Sequence, residues 1–350
     1  MEIISDDKIF RLNSMLAEAS SIVIVTHTKP DGDAMGSSIA MLHTLALYGK
    51  QGNIVIANHY SSNLDFLTED IREHIIIHED KMKEAEMAIR ESDLVICLDF
   101  NAFHRTDALE TSLRESRAAK ILIDHHLSPD TGSFALVFSK TDISSASELL
   151  YSILMELPPV RHEVRNLPAK AATALMTGMT TDTNNFANSV YPSTLAMASS
   201  LLQAGVDREM ILQNIYNSFK ESRIRLMGHL LKDIMKITPD GVAYMILDRK
   251  TMYSYNVEEG DTEGFVNIPL SIRNVKMSIL IKEDNGMARV SIRSRRGVSA
   301  NRCARLYFNG GGHENAAGGR LYIPKDISEI GQAAEYIEFT THKFMNENNE

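Results

Sequence analysis

Ile121-Leu122-Ile123 runs straight into Asp124-His125-His126. Three apolar residues followed by an acid and two imidazoles read as a short buried strand with chemistry at its carboxyl end. Three other stretches repeat the design. Ile22-Val23-Ile24-Val25 leads to Thr26-His27-Thr28-Lys29-Pro30-Asp31-Gly32-Asp33, Leu94-Val95-Ile96-Cys97-Leu98 leads to Asp99, and the helical-looking run 171–178 leads to Thr181-Asp182-Thr183. Together they supply His27, Asp31, Asp33, Asp99, Asp124, His125, His126 and Asp182. Imidazoles and carboxylates without a thiolate suit hard or borderline divalent cations.

Taken singly, each stretch has an ordinary reading. The spacing His27-x3-Asp31-x-Asp33 lets three donors converge from one loop, with Pro30 stiffening it and Gly32 allowing close backbone approach; a turn with a helix-capping Asp would look the same. Gly36-Ser37-Ser38, at the start of the next helix, would present N–H groups to a phosphate. Asp99 alone is a turn residue and Asp182 alone a loop residue. Neighbouring strand residues point to opposite sides, so His125 and His126 should differ in role, one on a metal and one facing substrate, with Asp124 fixing a histidine tautomer. Four such stretches at element ends of one domain point to a metal site.

The C-terminal half supplies a different chemistry. Six arginines and no acid lie between Arg289 and Arg305. In a strand, Arg289, Ser291, Arg293 and Arg295 share one face, with Val290 and Ile292 on the other. Arg295 and Arg296 read as solvated. In so acidic a chain the strand as a whole suits phosphate, which arginine binds with a planar fork. Gly310-Gly311-Gly312-His313 then reads as a glycine-rich loop with a histidine at a helix start, where exposed N–H groups favour an anion. Neither a Walker nor a dinucleotide fingerprint is present.

The elements that must position these groups alternate. Strands are expected at 21–27, 54–57, 75–77, 94–98, 121–123 and 134–138, with helices at 34–48 (ended by Gly49), 81–90 and 107–118. That is the pattern of a mostly parallel sheet flanked by helices, and in such sheets chemistry sits at the carboxyl ends of strands. Helices follow at 144–156, 167–179, 193–204 and 207–231. Strands return at 243–247, 276–281 and 288–293, and helices at 301–307 and 327–345. The expected fold is α/β: a catalytic metal-binding domain over 1–190, a helical connector over 191–231, and a smaller α/β substrate-binding domain over 232–350, with the active site in the cleft between domains.

Bulk properties exclude several classes. The chain has 350 residues, 44% hydrophobic, and a net charge of −10. That charge argues against coating duplex nucleic acid but not against a small anionic substrate beside a local basic patch. The N-terminus carries acids where a signal peptide carries base, and no apolar run approaches a membrane span, so a cytoplasmic protein is expected. The tail 345–350 is polar. Cys97 and Cys303 fall in a predicted strand and a predicted helix and read as buried free thiols.

These stretches resemble the DHH phosphoesterase family, named for the triplet seen here as Asp124-His125-His126. The resemblance spans nearly the whole chain: a first motif at 26–37, others at Asp99 and Asp182, and a glycine–histidine loop at 310–318 similar to the DHH-associated C-terminal domain. Order and size are similar to the bacterial nanoRNase subgroup, which also dephosphorylates 3′-phosphoadenosine 5′-phosphate. The resemblance implies two Mn²⁺ ions, with Mg²⁺ or another divalent ion as substitute. One would be held by His27, Asp31, Asp99 and Asp182, the other by Asp33, Asp99, His125 and Asp182. His126, backed by Asp124, would face the substrate phosphate; Arg293, Gly311, Gly312 and His313 would grip the substrate from the second domain. Short oligoribonucleotides or a nucleoside bisphosphate are the implied substrates, and a homodimer is compatible with them. Competing readings are a cyclic- or linear-dinucleotide phosphodiesterase and a non-catalytic nucleotide or metal sensor. Asn184 and Asn309 depart from the family pattern, standing where glycine is frequent.

Overall fold

The computed structural model describes residues 4–258 and 260–347; residues 1–3, 259 and 348–350, which include the two ends of the chain read above, lie outside the described residues. The chain divides into two compact units, Met1–Ser218 and Phe219–Glu350.

In the first unit, β1 (Ile22–Val25), β2 (Gly52–Ile56), β3 (Ile75–Ile77), β4 (Leu94–Leu98), β5 (Ala119–Asp124) and β6 (Leu136–Ser139) form one sheet in the order β3-β2-β1-β4-β5-β6. Every pairing is parallel. The strands are apolar without alternation because both faces are covered. Ile24, Ile54, Ile96 and Ile121 face one core, and Val25, Val55, Val95 and Leu122 the other. The chain runs outward from β1 to β2 and β3, then returns to lay β4 on the other side of β1. Such a switch opens a crevice beyond the carboxyl ends of the two central strands.

The helix Gly32–Leu45 follows β1 and continues as a 3₁₀ turn to Tyr48, ended by Gly49 at φ +63, as the sequence implies. The stretch expected to be one helix over 107–118 is instead a 3₁₀ segment, Phe103–Leu109, leading to Glu110–Glu115. An unanticipated helix, Asp6–Glu18, flanks β6. Its Lys8 and Arg11 donate to the Val137 and Ala135 carbonyls at 2.8 and 3.0 Å. The helices Ala146–Glu156, Ala169–Asp182, Pro192–Gln203 and Arg208–Tyr216 add Leu150, Leu175, Leu201 and Ile211 to the first core. The continuous helix expected over 207–231 is broken at Asn217, Ser218 and Phe219. It resumes as Glu221–His229 in the second unit, where Leu226 packs with Leu230, Phe265 and Leu280. Asn, Ser and Phe are modest helix formers, and Ser218 turns its hydroxyl back onto the Asn214 carbonyl at 2.5 Å.

The second unit holds a mixed sheet of β7 (Lys236–Ile237), β8 (Val242–Leu247), β9 (Met277–Asp284), β10 (Met287–Ser294), β11 (Gly311–Gly312) and β12 (Ala316–Tyr322), ordered β11-β12-β10-β9-β8-β7. Only β8 and β9 pair in parallel. The helices Ala300–Tyr307 and Ala333–Glu347 share one core with Val290 and Ile292. Cys97 and Cys303 are buried and free. No helix among the described residues is long and apolar enough to cross a membrane.

Candidate metal centre

The loops beyond β1, β4 and β5 and two helix ends converge at the switch point. β1 delivers Thr26 and His27. The Thr26 hydroxyl donates to the Leu98 carbonyl at 2.9 Å, tying this loop to the end of β4. His27 Nδ1 lies 2.8 Å from the Thr28 carbonyl. A proton donated there leaves the Nε2 lone pair free to ligate. Nε2 stands 3.5 Å from Asp99 Oδ2 and 3.9 Å from Asp31 Oδ1.

Asp31 does both things its position allowed. Its Oδ1 caps the helix Gly32–Leu45 by accepting from Asp33 N and Ala34 N at 3.0 and 3.1 Å, and its side chain stays 49% exposed beside His27. Asp33, the second residue of that helix, is buried. It accepts from Ala146 N at 2.7 Å and Ser147 N at 2.9 Å, the first N–H groups of the helix Ala146–Glu156. A helix N-terminus favours a carboxylate there.

The Asp33 side chain can lie so deep because two helices meet without side chains between them. A Cβ on Gly36 would stand 2.6 Å from the Ala174 carbonyl, and one on Gly178 would stand 2.0 Å from Ser147 Oγ and 2.8 Å from Asp33 Oδ1. Gly36, Ser37 and Ser38 are therefore interior packing residues, with both hydroxyls returned to backbone carbonyls. The phosphate role expected for them is not what the structure shows. The close crossing also brings Asp182, the last residue of its helix rather than a loop residue, beside Asp33.

Asp99 follows β4 at φ +61, a conformation rare for residues with a Cβ and frequent at functional sites. It is 2% exposed. Its Oδ2 faces His27; its Oδ1 faces His125 Nε2 at 3.4 Å. Oδ1 is buried without a well-aligned hydrogen-bond partner among the described residues. His125 Nε2 also lies 3.6 Å from Asp182 Oδ2 and 3.9 Å from Asp33 Oδ2. Three compact donor groups lie here, His27 with Asp31 and Asp99, Asp33 with His125 and Asp182, and Asp99 with Asp124 and His126; the first two fall within the ligand sets expected from the sequence.

The expectation that His125 and His126 point to opposite sides fails, because β5 ends at Asp124 and strand alternation ends with it. The two rings meet edge to face with centroids 4.9 Å apart. Their partners differ all the same. Asp124 accepts from His126 N at 3.1 Å and pairs with His126 Nδ1 at 2.7 Å, a contact suited to fixing the His126 tautomer.

Burial lowers the His27 and His125 pKa values, but the carboxylates around them more than offset it. Asp99 and Asp31 carry His27 up to about 9, and Asp99, Asp182 and Asp33 carry His125 up to about 10. Burial and the charges of Asp99 and Asp182 push Asp33 well above the usual carboxylate range. Burial, opposed by His125, brings Asp182, 30% exposed, up to about 6. Asp99 is held well below its usual value: burial opposes this, and His125 and His27 outweigh it. The site concentrates negative charge and draws positive charge to its centre, and a divalent cation supplies that charge more compactly than two imidazolium protons. The orphaned Asp99 Oδ1 and the all-oxygen-and-imidazole donor set fit such ions.

The remaining predicted residues lie in the second unit. Arg289, Ser291 and Arg293 share the partly exposed face of β10, as their alternation predicts. Arg295, beyond the strand, donates to the Leu270, Ile272 and Arg273 carbonyls. No helix starts at His313. Gly311–Gly312 pair with β12, Gly312 N donates to Asn301 Oδ1 at 3.2 Å, and His313 N donates to the Ala316 carbonyl at 2.7 Å. Gly312, at φ +152, has the Ala316 carbonyl 2.6 Å from where its Cβ would be. The glycines thus serve a tight hairpin, and these two N–H groups are engaged. Asn184 and Asn309, the departures from the family pattern, sit at φ +48 and +45, a region glycine favours and asparagine tolerates.

The sequence reading missed the backbone donors to Asp33, the packing role of Gly178, and Asn58, which accepts from Lys29 N at 3.1 Å and holds the first loop. The small residues Ala174 and Gly178, one turn apart like Gly32 and Gly36, were the available signal.

The description "DHH family, N-terminal domain" matches residues 21–179 and "DHHA1 domain" matches 240–337. A solved exopolyphosphatase-related protein from Bacteroides fragilis is 34% identical, covers 100% of both chains, and superposes with a TM-score of 0.90. This chain belongs to the DHH family. Among other DHH relatives, the bifunctional oligoribonuclease and PAP phosphatase NrnA of Bacillus subtilis is 26% identical over 89% of this chain and 92% of its own. The fold extends to RecJ of Thermus thermophilus, solved in complex with Mn²⁺, at 15% identity and a TM-score of 0.55 over 97% of this chain and 56% of that one.

Proposed function

We propose that this DHH protein is a cytoplasmic phosphoesterase with two divalent cations, Mn²⁺ in the first place, that hydrolyses short oligoribonucleotides to mononucleotides and 3′-phosphoadenosine 5′-phosphate to AMP. The observation that carries it is Asp99, whose two oxygens face His27 and His125, one in each of the first two donor groups. His27, Asp31, Asp99 and Asp182 hold one ion in this reading, and Asp33, Asp99, His125 and Asp182 the other. When bound, the pair supplies water activation and neutralises charge on the phosphate. His126, held at Nδ1 by Asp124, directs Nε2 to a phosphate oxygen. Arg293, Gly311, Gly312 and His313 are assigned the substrate's remote end, where an arginine fork suits a phosphate. The NrnA likeness supports the substrate class.

The test is turnover by the full-length protein with Mn²⁺, and with chelator as control, on a dinucleotide-to-pentamer RNA ladder, 3′-phosphoadenosine 5′-phosphate, cyclic di-AMP and pyrophosphate. Mononucleotides from the short RNAs, with the bisphosphate cleaved too, are expected. Selective cleavage of the cyclic dinucleotide would move the protein to signalling. Stoichiometric metal binding without turnover would make it a sensor.

A further inference from the structure

Asp33 is held by the N–H groups of Ala146 and Ser147, and these need an anchor of their own. Ser145 caps their helix by accepting from Glu148 N at 3.0 Å. Ser145-Ala146-Ser147-Glu148 has capping-box spacing, in which the glutamate reaches back to the N–H of the cap residue. Glu148 reaches one residue further. Its Oε2 accepts from Ser144 N at 3.1 Å and from the Ser144 hydroxyl. The same oxygen accepts from Thr194 Oγ1 at 2.6 Å. That hydroxyl oxygen accepts from Tyr191 N at 3.0 Å, at the start of the helix Pro192–Gln203.

Glu148 is 1% exposed, and its Oε1 has no hydrogen-bond partner among the described residues. Burying a carboxylate on neutral donors is costly, and a cap alone does not require one. What the carboxylate adds is a three-point clamp, in which two donors of Ser144 and one of Thr194 meet on a single oxygen. The clamped segment leads directly into the two N–H groups that aim Asp33.

We propose that Glu148 is a positioning residue of the metal centre. It locks the 144–147 segment between two helices, and through it the direction of the Asp33 carboxylate. This rests on the two-ion reading above. The clamp bears on the site built from Asp33 and His125 and leaves the one built from His27 and Asp31 alone.

Calorimetric titration of the full-length protein with Mn²⁺ alone, with electron paramagnetic resonance to read coupling between two ions, tests it. The wild type should show two binding steps. Glu148→Ala should weaken one of them by roughly 10–100-fold, the scale for residues that orient a ligand. The second step should stay unchanged, and so should the KM for short RNA at saturating Mn²⁺. Glu148→Gln, whose carbonyl can accept the same donors, should restore the weakened step. Thr194→Val, which removes one donor from outside the centre, should weaken the same step by a smaller factor. Wild-type titrations in both Glu148→Ala and Thr194→Val, or equal weakening of both steps, would overturn the proposal. If Glu148→Ala does not fold, Thr194→Val decides on the same criterion. A wild type that binds no Mn²⁺ would remove the two-ion reading itself.

Discussion

Gly36 lies against the backbone of Gly178 so closely that a Cβ on it would stand 2.9 Å from the Gly178 nitrogen. This contact makes Asp33 and Asp182 neighbours, although 149 positions separate them in the sequence. Gly178→Ala should cost on the order of 1–3 kcal/mol, as overpacking does, and weaken Mn²⁺ binding too. Gly49→Ala is the control. It sits at φ +63 in open space, so it should cost roughly 1–2 kcal/mol for the left-handed backbone with metal binding intact. Thermal melts with Mn²⁺ titrations check both, and equal metal binding in the two variants would dissociate packing from ligand placement.

Asp99 faces both His27 and His125. Asp99→Ala should leave the fold in place and reduce turnover by at least on the order of 10³-fold, since even a single electrostatic group in a site can account for that much. Near-wild-type turnover with a native circular dichroism spectrum would sink the shared-ligand assignment.

Asp124→Asn exchanges an acceptor at His126 Nδ1 for a group that can also donate, and so releases the imidazole tautomer. The kcat should fall roughly 10–100-fold, with Mn²⁺ affinity nearly unchanged because the proposed function assigns His126 to neither ion. A loss of metal affinity equal to the loss of kcat would instead make Asp124 part of the ligand framework.

The pH dependence has a definite sign. His27 and His125 are raised from 6.5 to about 9 and about 10. Their contribution to the metal-free fold is fully present below pH 6.5 and is lost as pH rises through those values. Asp182, raised from 3.8 to about 6, acts in the same direction at lower pH, and Asp99, held low, acts oppositely in acid. Ions require the imidazoles deprotonated, so the rise in Tm caused by Mn²⁺ should grow from about pH 6 to about pH 9. A constant rise would show that neither histidine is a ligand.

Arg293→Ala should raise KM for short RNA by roughly 10–100-fold, the scale of a charged hydrogen bond, with kcat little changed, as loss of uniform binding does. A collapsed kcat at unchanged KM would place Arg293 on the transition state.

The strands and the chemistry at their ends were legible because burial on both faces leaves an unbroken apolar run that the polar residues terminate. The β3-β2-β1-β4-β5-β6 order was not, since nothing in Leu94–Leu98 names β1 as its neighbour. Asp31 caps its helix, as one of its two readings had it, and stands beside His27 as the other requires. His125 and His126 were read as opposed because alternation was carried two residues past the end of β5. Gly178 and Glu148 were missed because each looks like ordinary helix interior, and only the contact with a remote segment shows its purpose. The hairpin at Gly311–Gly312 was mistaken for a helix start because glycine serves close strand approach and anion cradles alike.

The helix Asp6–Glu18 has a consequence for how this chain behaves in a crowded solution. β6 is an edge strand, and an edge strand is a template on which another chain can crystallise its own backbone. Lys8 already occupies its Val137 carbonyl and Arg11 the Ala135 carbonyl just before it, and they bring two positive charges to the rim. A stranger's strand would have to displace both before it could add to the sheet, so the first helix acts as a guard against aggregation.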